Sequence, residues 1–353
     1  MRILVTGGAG FVGSHLALSF KRESQDTAVI ALDNLKRRGS ELALRRLSAG
    51  GVEFRHGDIR NPEDLADSGS LDLLVECSAE PSVQAGVYGG ERYLINTNLM
   101  GTINCLDHAR RYDAAVIFLS TSRVYPIALL RELPLVPTER RFVIPESSTG
   151  LGWSARGITE NFPLAGSRSL YGATKLCSEL IIAEYVTLYG LRAVINRCGV
   201  LTGPWQMGKV DQGFVVLWAA RHLFGGALSY NGFGGTGLQV RDVLHVEDLY
   251  RLICKQVAEI ASHSGKIYNV GGGAECSVSL AELTEACVRY TGRRVSIASQ
   301  PASNPVDIPY YVTDTTAVTR ATGWRPRLSL ADILDDIFGW LRDHRGELKV
   351  ILK

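Results

Sequence analysis

The chain has 353 residues, of which 46% are hydrophobic and 21% charged, and its formal net charge is +2. This composition is that of a globular protein with room for one large or two modest domains. A near-neutral charge gives no reason to expect nucleic acid or a membrane surface as a partner. The chain enters a strand pattern directly, without a signal-peptide pattern, and no apolar run approaches the ~18 residues of a membrane span. We therefore expect a cytoplasmic protein.

The seven cysteines are scattered along the chain and form no CxxC pair. No histidine cluster has the spacing of metal ligands. We therefore predict buried, reduced thiols and no metal site.

Short β-type runs alternate with helical patterns through the first part of the chain. The patterns predict helices at 11–24, 91–112 and 169–189 and strands at 2–6, 28–33, 52–58, 71–77, 115–120 and 191–197. This rhythm implies βαβ units and a mostly parallel sheet covered on both faces. We expect an α/β fold with a doubly wound parallel sheet over residues 1–203.

Beyond Gly203 and Pro204 shorter strands mix with helices, which predicts a smaller α+β lobe over residues 204–353. The strands are expected at 228–230, 239–245, 266–271 and 294–299, and the helices at 246–261, 279–291 and 329–345. The stretch 126–168 carries five prolines and little periodicity. A loop that long inside a compact domain is usually functional, so we expect it on the substrate side.

The segment GGAGFVGS (7–14) directly follows the first predicted strand and opens a helix. Glycines in this pattern permit a tight turn and a close approach to a pyrophosphate, which sits on the helix N-terminus. The second strand ends at Asp33, whose carboxylate can bind the adenosine ribose and repel a 2′-phosphate, so NAD is favoured over NADP. The predicted cofactor contacts here are Gly7, Gly10, Phe11, Val12, Gly13, Asp33 and Asn34, with Arg37, Asp58 and Ile59 near the adenine.

Tyr171 and Lys175 lie four apart on a predicted helix and hence on one face. An ammonium beside a phenol stabilises the phenolate and lowers the pKa of the tyrosine, which can then take a proton from a sugar hydroxyl. The lysine can also hold the nicotinamide ribose. Thr121, at the end of the fifth strand, would supply a hydroxyl to the same substrate oxygen.

These motifs in this order resemble the extended short-chain dehydrogenase/reductases that modify nucleotide sugars. The resemblance rests on GGAGFVGS, Asp33, LST…VY (119–125), YGATK (171–175) and QVRDVLHVEDL (239–249), and it runs to TGWRP (322–326). It implies NAD as cofactor, bound by a Rossmann-type domain over residues 1–203, and a nucleotide sugar as substrate, bound mainly by residues 204–353. The catalytic residues that it implies are Thr121, Tyr171 and Lys175. It also implies that Arg241 meets the substrate diphosphate, that Ser78 and Ala79 line the NAD, and that Asn98 is a structural or cofactor-side residue.

Ser122 and Arg123, directly after Thr121, bear on the reaction. Dehydratases of this family carry Asp-Glu at these positions as acid and base, and an arginine cannot act as a base. The economical outcome is then return of the hydride to the other face of a transient ketone, which is epimerisation. A decarboxylase stays open because Arg123 can hold a carboxylate.

Within the family, DNLKRRG (33–39), STSRVY (120–125), the 126–168 insertion and KVDQGFVVLW (209–218) resemble the CDP-paratose 2-epimerases, which oxidise C2 of the hexose. The favoured substrate is therefore a CDP-hexose, and its expected contacts are Ser122, Arg123, Val200, Lys209, Gln212 and Arg241. The alternatives are a 4-epimerase or decarboxylase of the same family, or an NAD-binding sensor or scaffold without turnover. Helices corresponding to 91–112 and 169–189 form a dimer interface in relatives, so we expect a homodimer. Whether Ile181, Ile182, Tyr185 and Leu188 form an exposed stripe or core stays open.

Overall fold

The chain folds as two compact units in the computed structural model, which describes residues 1–87, 89–208 and 212–352. The first unit comprises Met1–Val124, Leu170–Arg197 and Leu249–Tyr268. The second comprises Tyr125–Ser169, Cys198–Asp248 and the chain from Asn269 onward. By compactness, the 126–168 insertion therefore belongs to the second unit. The division of cofactor and substrate binding between residues 1–203 and 204–353 stays a prediction.

A seven-stranded sheet dominates the first unit. In chain order its strands are β1 (Arg2–Thr6), β2 (Ala28–Asp33), β3 (Glu53–His56), β4 (Leu73–Glu76), β5 (Ala115–Thr121), β6 (Ala193–Cys198) and β7 (Ile267–Val270). The spatial order is β7-β6-β5-β4-β1-β2-β3, and β1 pairs in parallel with both β2 and β4. The order reverses between β1 and β4, which is where ligands bind in such sheets. The predicted doubly wound α/β fold is confirmed.

The central strands of the sheet are largely apolar on both faces, as parallel strands between helix layers require. Ile3, Leu4 and Val5 of β1 are fully buried, and β4 is buried along its whole length. The assignment of 266–271 to the smaller lobe was wrong, because β7 is an edge strand of the main sheet. An apolar run predicts a strand, but the sheet that the strand joins depends on distant partners.

The helices around this sheet are Phe11–Glu23, Ala43–Ala49, Pro62–Ala66, Leu170–Tyr189, Val246–Ala258 and Ile260–His263. Three further helical segments, Glu91–Ile95, Asn96–Met100 and Gly101–Arg111, follow one another directly as one helical run. The middle segment of the run, Asn96–Met100, is a π-helix. Such segments frequently mark functional positions, and this one carries Asn98. We call Leu170–Tyr189 the Tyr–Lys helix.

The second unit mixes strands and helices, as expected for its α+β pattern. Its strands outside the insertion are Val200–Thr202, Leu228–Asn231, Val240–His245, Ser277–Ser279, Ile297–Gln300 and Tyr310–Tyr311. Its main helices are Phe214–Phe224, Leu280–Thr291, Thr316–Thr322, Leu330–Asp343 and Arg345–Leu352. Capping boxes at Ser279 and Ser329 start two of them. The helix Phe214–Phe224 was missed, because its largely apolar sequence lacks a helical period.

The insertion 126–168 is ordered against the rest of the second unit. It holds the helix Ile127–Arg131 and short strands at Val136–Pro137, Phe142–Val143, Thr149–Gly150, Trp153–Ser154 and Gly157–Ile158. Arg141 donates to the Ser277 hydroxyl (2.6 Å), and the Ile158 amide donates to the Val312 carbonyl (2.8 Å). The insertion is therefore built into this unit by side-chain and backbone hydrogen bonds.

All seven cysteines are free thiols. Four are buried as predicted, whereas Cys177 is exposed and Cys77 and Cys254 are half-buried, so the prediction of burial was wrong for these three. Within the described parts of the chain, no helix is long and apolar enough to cross a membrane.

Candidate active site

The loop of residues 7–10, here called the nucleotide loop, leaves β1 at the switch point of the sheet. Gly7 has φ +64°, a left-handed conformation that favours glycine, and a Cβ there would lie 2.9 Å from the backbone of Cys77 and Ser78. A Cβ on Gly13 would lie 2.1 Å from the Gly7 carbonyl oxygen. The glycines therefore let the helix and the turn after β4, residues 77–80 and here called the strand-four turn, approach the loop closely.

The helix Phe11–Glu23 presents a bare N-terminus. Among the described residues, no side chain caps it, and its first turn holds no acidic residue. The first amide groups of a helix lack intrahelical acceptors, and the helix dipole favours an anion there. Phe11 and Val12 lie half-buried in this turn. The residues present therefore fit the pyrophosphate of NAD.

Asp33, at the end of β2, forms hydrogen bonds with the nucleotide loop. Its carboxylate accepts hydrogen bonds from the amides of Ala9 (3.1 Å) and Leu35 (2.7 Å). Burial raises the pKa of Asp33 above its ordinary value, and the backbone donors offset only part of that effect. A carboxylate has about four acceptor sites, so Asp33 retains capacity for the ribose hydroxyls.

Asp58, after β3, forms hydrogen bonds with Asn34, which follows β2, and with Arg60. It accepts hydrogen bonds from Asn34 Nδ2 (2.8 Å) and from Arg60 Nε and Nη2 (2.9 and 2.7 Å). Burial opposes ionisation of Asp58, but hydrogen bonds from Arg60 and Asn34 outweigh it and lower its pKa to about 2. Arg60, which the sequence analysis missed, also lies over the ring of Tyr93. A direct contact of Asp58 with adenine stays a prediction.

The two other residues predicted near the adenine differ in their surroundings. Ile59 is 3% exposed, and a Cβ on Gly101 would lie 2.5 Å from its Cδ1, so its side chain belongs to the core. Arg37 lies half-buried in the loop after β2. Its contact with the cofactor stays a prediction.

Asn98 ties the strand-four turn to the Tyr–Lys helix. Its Oδ1 accepts from the Glu80 amide (2.8 Å), and its Nδ2 donates to the Glu80 carbonyl (3.2 Å) and to Thr174 Oγ1 (3.4 Å). Asn98 is fully buried, while Ser78 and Ala79 of the turn are half-buried. The contacts of Asn98 are those of a structural residue.

The three predicted catalytic residues lie on two elements that pack together. Thr121 ends β5, and Tyr171 and Lys175 lie on the Tyr–Lys helix, which packs on β5 and on the 3-10 turn Ser122–Val124. Thr121 Oγ1 accepts a hydrogen bond from the Arg123 amide (3.2 Å). A hydroxyl that accepts in this way still has its own hydrogen to donate.

Lys175 and Tyr171 differ in burial although they share a helix face. Tyr171 is half-buried, whereas Lys175 is only 2% exposed. The Lys175 Nζ lies 3.9 Å from the centroid of the Phe118 ring, within the range of a cation–π interaction. Ser122 is buried and Arg123 half-buried directly after Thr121.

Glu76, the last residue of β4, is a buried carboxylate that the sequence analysis missed. It is 0% exposed, and Thr102 donates to its Oε1 (2.6 Å). Burial raises the pKa of Glu76, against the opposing effects of the Lys175 charge and the Thr102 hydrogen bond. The signal was a carboxylate directly after the apolar residues Leu73, Leu74 and Val75, since a strand buried on both faces rarely carries a charge.

A second buried carboxylate, Glu179, lies one turn beyond Lys175. Arg197 Nη2 donates to its Oε2 (2.6 Å) and Arg197 Nε to both oxygens (3.1 and 3.0 Å). Ser120, the neighbour of Thr121, also donates to Glu179. This group joins the Tyr–Lys helix to β5 and β6.

The predicted substrate residues of the second unit centre on two paired strands. Val200 pairs with Val243 on the strand that carries Arg241. Arg241 Nη2 donates to Asp307 Oδ1 (3.0 Å) and to the Ile308 carbonyl (2.6 Å). Gln212 lies half-buried before the helix Phe214–Phe224, and Lys209 lies outside the described residues.

Arg131 of the insertion is a further arginine beside Asp307. Its Nε donates to the Asp307 carbonyl (3.0 Å) and its Nη2 to the Asn304 carbonyl (2.9 Å). Arg241 and Arg131 thus both contact the segment that begins at Asn304. Sequence reasoning missed Arg131, because it lies far from Asp307 along the chain.

Comparisons with known proteins agree with this fold. A family model described as the NAD dependent epimerase/dehydratase family matches residues 3–271. CDP-paratose 2-epimerase from Salmonella typhi is 30% identical over 352 residues, covering 96% of this chain and 99% of that protein. A dTDP-glucose 4,6-dehydratase from Streptomyces niveus is 30% identical over 354 residues, covering 98% and 94%. A solved double mutant of dTDP-glucose 4,6-dehydratase from Streptomyces venezuelae, with NAD bound, has a TM-score of 0.79 and 30% identity, covering 100% of both chains.

Proposed function

Because the chain belongs to the NAD-dependent epimerase/dehydratase family, an enzyme family whose cofactor is NAD, we propose that it is a nucleotide-sugar epimerase of the CDP-paratose 2-epimerase type. One observation carries this choice among the activities of the family. Ser122 and Arg123 follow Thr121 at the positions where a 4,6-dehydratase carries its acid and base. An arginine cannot accept a proton, so the expulsion of a hydroxyl lacks its base here.

The nucleotide loop and the bare helix N-terminus would hold the pyrophosphate of NAD, and Asp33 would hold its adenosine ribose. Lys175 would hold the nicotinamide ribose. When bound, NAD⁺ would accept a hydride reversibly, so that the cofactor is regenerated within each catalytic cycle.

In the proposed mechanism Tyr171, as a phenolate, takes the proton from a sugar hydroxyl. The Lys175 ammonium stabilises that phenolate, and Thr121 donates its hydroxyl hydrogen to the same sugar oxygen. Inversion would follow when the hydride returns to the opposite face of the transient ketone, and Tyr171 would then give the proton back to the same oxygen. The result is inversion at one carbon without a net change in redox state.

The proposed substrate is a CDP-hexose that reacts at C2. The Salmonella typhi relative is named for that activity. The 126–168 insertion, by its resemblance to that branch of the family, supports the same choice. Arg241 and Arg131, which both contact the segment that begins at Asn304, would meet the diphosphate. Ser122, Arg123, Val200, Lys209 and Gln212 are assigned to the sugar side.

Turnover of CDP-, UDP- and dTDP-hexoses, followed by NMR of the products, tests the proposal. We expect a 2-epimer from a CDP-hexose, retention of the substrate hydrogen and no net NADH. A 4-epimer, loss of carbon dioxide or loss of water would each assign another activity of the family. NAD binding without turnover would indicate a sensor or scaffold.

The Tyr171→Phe variant tests the mechanism. It removes the proton acceptor and is expected to lower kcat by about 10²- to 10⁴-fold while NAD still raises the Tm. Full activity of this variant would remove Tyr171 from the mechanism.

We also propose that the protein is a cytoplasmic homodimer. Leu180 and Leu188 are 62% and 66% exposed on the Tyr–Lys helix, and Ile95 and Met100 are 36% and 45% exposed on the neighbouring helical run. An apolar surface of this kind suits a second copy of the chain. The free thiols support a reducing compartment.

A further inference from the structure

The loop that follows Asp33 carries a run of basic residues, Lys36, Arg37 and Arg38. A basic side chain at this place can attract the 2′-phosphate that distinguishes NADP from NAD, since a phosphate of this kind carries about two negative charges. The Asp33 carboxylate acts in the opposite direction and repels that phosphate. Which of the two effects prevails at the adenosine ribose depends on where the basic side chains lie.

The backbone of this loop is held next to Asp33 by hydrogen bonds. The Leu35 amide donates to Asp33 Oδ1 (2.7 Å), and the Lys36 amide donates to Asn34 Oδ1 (3.0 Å). Asn34 Nδ2 in turn donates to Asp58 Oδ2 (2.8 Å). These bonds fix the main chain of Lys36 close to Asp33, so the position of its ammonium depends on its side chain.

The Lys36 ammonium lies on an aromatic ring of a different element. Its Nζ is 3.9 Å from the ring centroid of Tyr93, which is half-buried on the helix Glu91–Ile95. A cation this close to the face of a ring is attracted by the quadrupole of the ring. The Lys36 side chain is exposed, and its flexible stem would let the ammonium reach anions near the loop. The Tyr93 ring therefore keeps this ammonium in one place.

Arg60 lies over the same ring but has a second anchor. Its Cζ is 4.8 Å from the Tyr93 ring centroid, and its Nε and Nη2 donate to the Asp58 carboxylate (2.9 and 2.7 Å). Loss of the Tyr93 ring would leave Arg60 held by this ion pair. Lys36 is therefore the cation whose position depends on the ring.

We propose that Tyr93 is a specificity-determining residue for the cofactor. It holds the Lys36 ammonium away from the adenosine ribose, so that this charge does not attract a 2′-phosphate and the Asp33 carboxylate governs the choice of NAD over NADP. The inference rests on the proposed function, in which Asp33 holds the adenosine ribose. It goes further because it assigns part of the preference for NAD to a residue on another element.

The Tyr93→Leu variant tests the proposal, because it removes the ring and frees the Lys36 side chain. The protein is equilibrated with NADP in known excess over NAD, free nucleotide is removed, and the bound nucleotides are quantified by chromatography. We expect the preference for NAD to fall about 3- to 10-fold, the order of factor that a cation–π contact contributes. Tyr93→Phe, the matched control, keeps the ring and should keep the wild-type preference.

A double variant identifies the cation that is responsible. In Lys36→Met/Tyr93→Leu the freed ammonium is absent, so the wild-type preference should return. Further basic groups near the loop, Arg37, Arg38 and His56, are the same in every variant and cancel in the comparison. A preference that stays at the wild-type value in Tyr93→Leu, or that stays lowered in the double variant, would overturn the proposal.

The single variant Lys36→Met decides the question if Tyr93→Leu does not fold. An ammonium that is held on Tyr93 contributes little to the binding of NADP, so Lys36→Met should keep the wild-type preference. A rise of about threefold or more in the preference for NAD would show that Lys36 contacts the 2′-phosphate in the wild type, against the proposal.

The readout is binding and requires no turnover, so it is independent of the proposed epimerase activity. An unchanged preference in Tyr93→Leu would leave the proposed function standing. A wild-type preference for NAD in Asp33→Asn would instead remove the ribose role of Asp33 from the proposed function, and the inference with it.

Discussion

At the scale of single residues, the Thr121 hydroxyl can donate one hydrogen bond to a substrate oxygen. Its oxygen already accepts from the Arg123 amide, so the hydroxyl is oriented before a substrate arrives. The Thr121→Val variant keeps the shape and removes the donor. Loss of a hydrogen bond to a charged oxygen costs about 1.5–3 kcal/mol, so we expect kcat to fall about 10- to 100-fold. Steady-state kinetics with the substrate identified by product NMR would measure this.

Thr121→Ser is the matched control, since it retains both the donor and the acceptor. It should keep kcat within a few-fold of the wild type. Wild-type kcat in Thr121→Val would show that the proton transfer at Tyr171 proceeds without this hydroxyl.

At the scale of secondary-structure elements, the Glu179–Arg197 pair joins the Tyr–Lys helix to the sheet. Both side chains are almost fully buried, with 2% and 3% exposed, and the guanidinium donates to both carboxylate oxygens. Removing one partner leaves a buried charge uncompensated. We expect Glu179→Met to lower the free energy of unfolding by about 3–5 kcal/mol, measured by denaturant titration.

The double variant Glu179→Met/Arg197→Met separates the cost of an orphaned charge from the value of the pair. Two apolar side chains in place of a buried ion pair are often tolerated, so the double variant should be more stable than Glu179→Met alone. A double variant as unstable as the sum of the two single variants would contradict this account.

At the scale of the whole molecule, the exposed leucines of the Tyr–Lys helix predict self-association. Leu180 and Leu188 lie two turns apart and present an apolar strip to the surface. The Leu180→Glu/Leu188→Glu variant places two like charges in each copy of the proposed interface. We expect a dimer for the wild type and a monomer for this variant in light scattering coupled to size exclusion.

The control for this prediction is Leu151→Glu, because Leu151 is 72% exposed in the second unit. It should remain dimeric. A monomeric wild type at micromolar concentration would refute the proposed interface. Of the residues for which both an exposed stripe and core were open, Ile182 is fully buried and Ile181 and Tyr185 pack against the core, while Leu188 is exposed.

Much of the first unit followed from local patterns. The strand β1, the helix Phe11–Glu23 and the Tyr–Lys helix lie within a residue of their predicted bounds. Such elements follow from apolar periodicity and from turn glycines over short windows. The ordered strands of the insertion 126–168 were not foreseen, because two-residue strands have no period of their own and depend on partners elsewhere in the second unit.

By itself, the sequence determined the doubly wound fold, the glycine-rich turn, the acidic end of β2 and the shared face of Tyr171 and Lys175. These features depend on neighbours within a few residues, where turn and helix geometry leave few choices. Only the tertiary structure decided that β7 joins the main sheet and that Glu76 pairs in register with Phe118 under Lys175. Strand register and the burial of charges depend on contacts between side chains that are far apart in the chain, and a local sequence pattern does not predict such contacts.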